Sequence, residues 1–145
     1  MELKIKHFSE LTLDELYGIL RARQEVFVVE QSCAYLDADG KDKDAYHVFI
    51  TENGKVLAAL RVLDRGVLYD DVSISRVITT RRGAGLGEKV LLAGIEVARE
   101  KYNADILRVS AQVRASGFYQ KYGFKQVSDV YLENGIERFE MLLTL

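Results

Sequence analysis

The residues best suited to chemistry lie between Ser73 and Asn103. A β-branched run, Ser73-Ile74-Ser75-Arg76-Val77-Ile78-Thr79-Thr80, feeds Arg81-Arg82-Gly83-Ala84-Gly85-Leu86-Gly87, which opens an amphipathic helix. Three alternating glycines remove the Cβ atoms that would hold a ligand off the main chain. Successive backbone N–H groups at a helix N-terminus can then converge on phosphate oxygens. The spacing therefore predicts an anion cradle for a phosphate or pyrophosphate, with Arg81 and Arg82 placed to add charge-assisted hydrogen bonds.

Two common nucleotide motifs fail on sequence. A P-loop closes its turn with Gly-Lys-Ser/Thr, whereas Gly87 is followed by Glu88-Lys89-Val90. The dinucleotide fingerprint G-x-G-x-x-G misses as well, because the glycines fall at 83, 85 and 87. The pattern present is R-x-x-G-x-G, from Arg82 to Gly87, after a strand.

The elements that must position this loop are legible from periodicity. Leu3, Ile5 and His7 alternate with Glu2, Lys4 and Lys6, predicting a short strand with one buried face. Thr12 and Glu15 form a capping box for a helix whose apolar stripe runs through Leu13, Leu16, Tyr17 and Leu20 toward Val26 and Phe27. Residues 30–44 break the pattern with a polar stretch rich in aspartate, expected to be a solvated binding loop. Asn53-Gly54 joins the strand-like runs 46–52 and 55–63 as a hairpin. A further short apolar run spans Val67 to Tyr69. Leu86, Val90, Leu91, Ala93, Val97 and Ala98 repeat at helical spacing, and that helix should end near Tyr102-Asn103. A strand around 106–111, a short helix at 115–122 and a hairpin through Asn134-Gly135 complete the chain. The expectation is an α/β fold with a mixed, mostly antiparallel sheet of six to seven strands and about four helices. Its one parallel crossover is the strand-helix-strand unit from Ser73 to Ala111.

Length and composition narrow the classes. The chain has 145 residues, the size of a single domain spanning 1–145, with 48% hydrophobic and 29% charged residues. A formal charge of −2 gives no basic face for nucleic acid. No apolar stretch reaches the roughly 18 residues of a membrane span, and the N-terminus alternates too strictly for a signal peptide, so a cytoplasmic location is expected by default. Cys33 is the single cysteine, which excludes an intrachain disulfide and a thiolate metal cluster. Asp37, Asp39 and Asp42 lack the spacing and closing Glu of a calcium loop, so no metal is expected.

The R-x-x-G-x-G pattern after a strand resembles the GNAT superfamily of acyl-CoA-dependent N-acetyltransferases. A second family pattern, N-x-x-A-x-x-F-Y-x-x-x-G-F, is matched by Gln112-Val113-Arg114-Ala115-Ser116-Gly117-Phe118-Tyr119-Gln120-Lys121-Tyr122-Gly123-Phe124, with only the leading Asn changed. Within that superfamily the chain is similar to the ElaA-like group, through Arg23-Gln24-Glu25-Val26-Phe27-Val28-Val29-Glu30-Gln31, then Tyr35-Leu36-Asp37-Ala38-Asp39-Gly40 and Tyr131-Leu132-Glu133-Asn134-Gly135-Ile136. That group commonly continues Ile-Pro-His, whereas this chain reads Ile136-Glu137-Arg138.

The resemblance implies a GNAT fold and acetyl-CoA as cosubstrate. The backbone of Val77, Ile78 and Thr79 would pair with the pantetheine arm, and Gly83, Ala84, Gly85, Leu86 and Gly87, flanked by Arg81 and Arg82, would hold the pyrophosphate. Gln112 and Phe118 would contact the cofactor. Tyr119 holds the position from which a family tyrosine reaches the CoA sulfur; a phenol stays protonated at neutral pH and can serve as general acid. Glu30 and His47 are the candidates for general base, Glu30 because the preceding apolar run would desolvate it and His47 because its strand would face the cleft. The amine acceptor, a small molecule or a peptide amine, would enter between residues 23–44 and the C-terminal hairpin, against Arg23, Phe27, Gln31 and Arg138, with the acidic loop favouring cations. Direct transfer in a ternary complex is expected, without an acetyl group on Cys33. The rival reading is a non-catalytic acyl-CoA-binding sensor on the same fold. Exposed sheet edges are compatible with a homodimer.

Overall fold

The computed structural model describes residues 1–145. Eight strands form one sheet: β1 (Glu2–His7), β2 (Tyr46–Glu52), β3 (Lys55–Leu63), β4 (Val72–Thr79), β5 (Ile106–Gln112), β6 (Lys125–Gln126), β7 (Tyr131–Glu133) and β8 (Ile136–Thr144). The order is β1-β2-β3-β4-β5-β8-β6, with β7 also on β8, and every pairing is antiparallel except β4 with β5. Three α-helices accompany it: α1 (Leu13–Arg23), α2 (Leu86–Tyr102) and α3 (Ser116–Lys121). None is long and apolar enough to cross a membrane.

The two faces of the sheet are covered separately. On one, α2 buries Leu86, Val90, Leu91, Val97 and Ala98 against Val48, Leu60, Ile74 and Val109. The approach of α2 to β3 is close: a Cβ on Gly94 would stand 2.9 Å from Leu60 Cδ1 and 3.2 Å from Ile74 Cδ1, so a side chain there would have to push these methyls aside. On the other face, Ile19, Ala22, Val26 and Phe27 pack on Phe49, Val56, Ala59 and Ile78. The hairpin dipeptides behave as their types require. Asn53 and Gly54 take φ of +51° and +76°, and Asn134 and Gly135 take +52° and +76°.

Several expectations are corrected. Leu3 and Ile5 are not the buried side of β1 but are nearly half exposed, while Lys4 and Lys6 lie under α1 and pair with Glu15. The capping box of Thr12 and Glu15 forms, but Leu13 and Tyr17 face solvent and the inward stripe is Ile19, Ala22, Arg23 and Val26. The apolar run from Val67 to Tyr69 lies in a turn and bend, and the first arm of the last hairpin, expected as one strand from Phe124 to Leu132, is broken into β6 and β7. After α1 the chain widens into a π-helical stretch, Gln24–Glu30, whose end shows bonds from Gln31 N–H to Val26 O and from Cys33 N–H to Val28 O.

The central feature is an opening between β4 and β5. Their parallel ladder lasts for Val72–Leu107, Ser73–Arg108 and Ile74–Val109 and then stops. Beyond Ile74 a bulge interrupts β4. Arg76 sits at φ +53°, and the pairing with β3 jumps from Arg61–Ser75 to Ala59–Ile78. Ser75, Ile78 and Thr79 stay paired with β3 on one side, and beyond Ile74 the other edge of β4 has no strand partner.

Candidate functional site

The gap between β4 and β5 leads into a cavity of about 680 Å³. One wall is β4 from Ile74 to Thr79; the other is Ser110 and Gln112 on β5 with Phe118 and Tyr119 on α3. The π-helical stretch and the β7–β8 hairpin close the far end through Phe27, Gln31, Asn134 and Arg138. Val77, Ile78 and Thr79 all lie on this surface, with Ile78 also rooted in the core below α1.

A smaller hollow of about 300 Å³ adjoins the cavity, bounded by Arg81, Arg82, Gly83, Gly85 and Lys121, and Thr79, Arg82, Gly87 and Phe118 border both. Gly83 and Gly85 adopt φ of +77° and +71°, a conformation that a side chain strains, and nothing stands within 4 Å of where a Cβ would be. The loop is thus shaped by its backbone and open to a ligand. Leu86 is buried as the first residue of α2 and can offer only its main chain; Ala84 is exposed at the tip. Arg81 is paired with Glu52 at 2.9 Å.

Tyr119 lies on the cavity wall, 7% exposed, packed edge-on against Phe118 and Phe124. Burial pushes its pKa up to about 12, against a smaller downward pull from the charge of Arg138. The phenol therefore keeps its proton throughout the neutral range. Gln112 bridges the gap at its far end, donating from Nε2 to Gln31 Oε1 at 3.3 Å and accepting from Arg114 Nε at 2.9 Å.

Three sequence expectations do not hold. Arg23 does not reach the cavity: it is 1% exposed and bonded to Asp37 at 2.8 Å and Asp42 at 2.7 Å. His47 does not face the cleft. Its Nε2 lies 2.9 Å from the Asp42 carbonyl and burial lowers its pKa, so the ring stays neutral inside the protein. Glu30 is exposed and ion-paired with Arg82, so the apolar run before it does not desolvate it.

The aspartate-rich stretch is likewise not a solvated loop. Asp37 and Asp42 are each 7% exposed, and with Asp39 they alternate with three arginines in a closed ring. Arg23 bridges Asp37 and Asp42, Arg61 bridges Asp42 and Asp39, and Arg76 bridges Asp39 and Asp37. Arg61 Nε also donates to Ser75 Oγ at 2.7 Å. Burial alone would raise the Asp39 and Asp42 carboxyls, but their bonds to Arg61 and Arg23 hold both well below the usual carboxylate range. The ring ties the loop to α1, β3 and β4 at the bulge. Its signal in the sequence was the intrusion of Arg61 and Arg76 into apolar strands.

Cys33, Tyr35, Ser110 and Asn134 also line the cavity, a placement that the sequence did not announce. Cys33 Sγ lies 3.2 Å from the Asn134 carbonyl, tying the stretch after the π-helix to the tip of the β7–β8 hairpin. Ser110 Oγ meets the Tyr131 hydroxyl.

The acetyltransferase (GNAT) domain profile matches residues 10–145. Protein ElaA of Escherichia coli is 35% identical over 139 residues, covering 93% of this chain and 91% of the relative. A "UPF0039 protein" of Synechocystis is 39% identical over 140 residues, covering 94% and 91%. Among solved structures, an acyl-CoA N-acyltransferase from Pseudomonas aeruginosa superposes with a TM-score of 0.91 at 37% identity, covering 98% of this chain and 99% of that one. The E. coli ElaA structure gives 0.90 at 34% identity, covering 98% and 99%.

Proposed function

Because the chain belongs to the GNAT acetyltransferase family, whose members use an acyl-CoA as cosubstrate, we propose that it moves an acetyl group from acetyl-CoA directly to a primary amine in a ternary complex. The observation that carries this reading is the open β4 edge, which runs from Tyr119 to the glycine loop. An extended pantetheine arm bonded to Val77, Ile78 and Thr79 would behave as an added strand. The phosphates would meet the N–H groups of Gly83 to Gly87 and the guanidinium of Arg82. A main-chain N–H on the unpaired edge would polarise the thioester carbonyl. Tyr119, held protonated by burial, would give its proton to the departing sulfur, and the proton shed by the newly acylated nitrogen would restore the phenol, directly or through water.

The acceptor must arrive as the free amine, because an ammonium has no lone pair for attack. Its path lies between the π-helical stretch and the β7–β8 hairpin, where Phe27, Gln31 and Arg138 meet. Release of CoA thiol from acetyl-CoA, measured across a panel of amines, tests the reading. Acceptor-dependent release with a stoichiometric acetylated product is expected. Tight binding of acetyl-CoA with no release for any acceptor would replace the enzyme by an acyl-CoA-binding sensor.

A further inference from the structure

We infer that the acceptor is a small amine that also carries a carboxylate, a free amino acid, and that Arg138 holds that carboxylate beside Tyr119. This rests on the acetyl-transfer reading above and names its substrate class. Arg138 rises from β8 opposite Gln112 of β5 and Tyr131 of β7, and its side chain is 19% exposed. Its Nη1 donates to the Ser110 carbonyl at 3.0 Å, which fixes the guanidinium on the cavity wall. Its Nε is sealed from solvent and has no hydrogen-bond partner. The nearest carboxylate, Glu133, stands 3.4 Å away with a side chain that is 57% exposed.

The contrast with the other buried arginines is direct. Arg23 and Arg61 each meet two carboxylates within 2.9 Å, whereas Arg138 is a largely buried cation with one carbonyl and one slack partner. A buried charge left short of partners is costly, and a carboxylate supplies two oxygens that match the guanidinium fork. Of the two carboxylates on the cavity wall, Asp39 is held in the arginine ring and Glu133 already faces Arg138 itself. Asp37, Asp39 and Asp42 are held by the arginine ring, so the expected preference of the loop for cations does not carry into the cavity. Arg138 and Tyr119 share the cavity wall, and the charge of Arg138 is felt at the phenol. A carboxylate on Arg138 therefore leaves an α-amine a bond or two away, at the acyl-transfer end. Phe27, Leu68 and Ile136 offer an apolar wall for the side chain.

The test compares amino acids with their decarboxylated amines, for example L-leucine with 3-methylbutylamine, with each rate referred to the free-amine concentration because the alkylamine is the more basic of the two. The expected result is a kcat/KM about 10- to 100-fold higher for the amino acid, the range of a charge-assisted bond. In Arg138→Met the ratio should collapse toward unity, and Arg138→Lys should restore part of it. Equal use of both members across the panel, or a preference that survives in Arg138→Met, overturns the inference while leaving acetyl transfer intact. If no amine is turned over, calorimetry with L-leucine in the presence of CoA decides. Binding that Arg138→Met abolishes supports the carboxylate site though the transferase reading fails, and absence of binding at millimolar amino acid overturns it. Should Arg138→Met fail to fold, the wild-type preference between amino acid and amine decides by itself.

Discussion

Arg23 Nη1 and Asp42 Oδ1 meet at 2.7 Å inside the protein, joining the end of α1 to a loop nineteen positions further along the chain. Neither group has a water-exposed alternative, since the arginine is 1% and the aspartate 7% exposed. Removing one partner strands the other charge. Asp42→Asn or Arg23→Met should therefore lower unfolding free energy by about 3–5 kcal/mol, seen as a reduced denaturation midpoint at unchanged slope. An Arg23→Met protein of wild-type stability that had lost only acceptor affinity would return this residue to the binding site.

Stability should fall on acidification in two stages. Burial lowers the pKa of His47, so below about pH 6.5 the unfolded chain takes up a proton that the folded chain refuses, and a shallow decline begins. The carboxyls act at lower pH. Burial would raise Glu15, but the Thr12 amide, Lys6 and Lys4 bring it down to about 2, and Asp39 and Asp42 are also depressed. Each contributes stability that is complete above its unfolded pKa, about 4, and is lost as pH falls through the folded value. Urea titrations at pH 7, 5.5, 4 and 3 should show the steep loss below about pH 4.5, and His47→Gln should remove the shallow stage.

Tyr119→Phe removes the proposed acid and leaves the packing of the ring. A fall in kcat of about 10²- to 10⁴-fold is expected, with acetyl-CoA affinity little changed in calorimetry. Since the phenol is held near pKa 12, the wild-type rate should rise with pH as the amine loses its proton and show no falling limb from Tyr119 up to about pH 10. Retention of kcat in Tyr119→Phe would eliminate the role.

Gly85→Ala places a Cβ in open space on a backbone at φ +71°, so the cost is conformational, about 1–2 kcal/mol. The turn should relax and its N–H groups lose convergence, weakening acetyl-CoA binding measurably by calorimetry. Gly87→Ala is the comparison. Its Cβ would meet the Phe118 ring at 3.8 Å, an ordinary contact, so the fold should lose less than in Gly85→Ala when thermal midpoints are compared.

Cys33→Ala should keep turnover near wild type. The thiol lines the cavity but is engaged with the Asn134 carbonyl, and intact-mass measurement after incubation with acetyl-CoA should find no acetyl adduct on it. A collapse of activity together with an adduct in the wild type would instead make Cys33 a covalent carrier.

What the sequence made legible was local. The glycine loop, the α2 stripe and the two Asn-Gly turns announce themselves because each depends on neighbours within a few residues. The ring of Arg23, Arg61 and Arg76 with Asp37, Asp39 and Asp42 does not, because it exists only after β3 and β4 bring distant arginines under the loop. The same limit explains β1. Leu3 and Ile5 alternate correctly for a strand, but alternation cannot say which face an edge strand turns inward when Glu15 of α1 draws Lys4 and Lys6 to the other side. Arg76 at φ +53° was equally hidden, since nothing in its neighbours demands a left-handed residue.

The three-pair ladder between β4 and β5 leaves the sheet unfinished, and a cosubstrate laid along Val77 to Thr79 would finish it. The molecule that donates the acyl group would then also be a piece of architecture. By mass action, a ligand at a hundred times its dissociation constant adds about 2.7 kcal/mol to the folded state. Withdrawal of the donor would accordingly take that increment away and bare the β4 edge again.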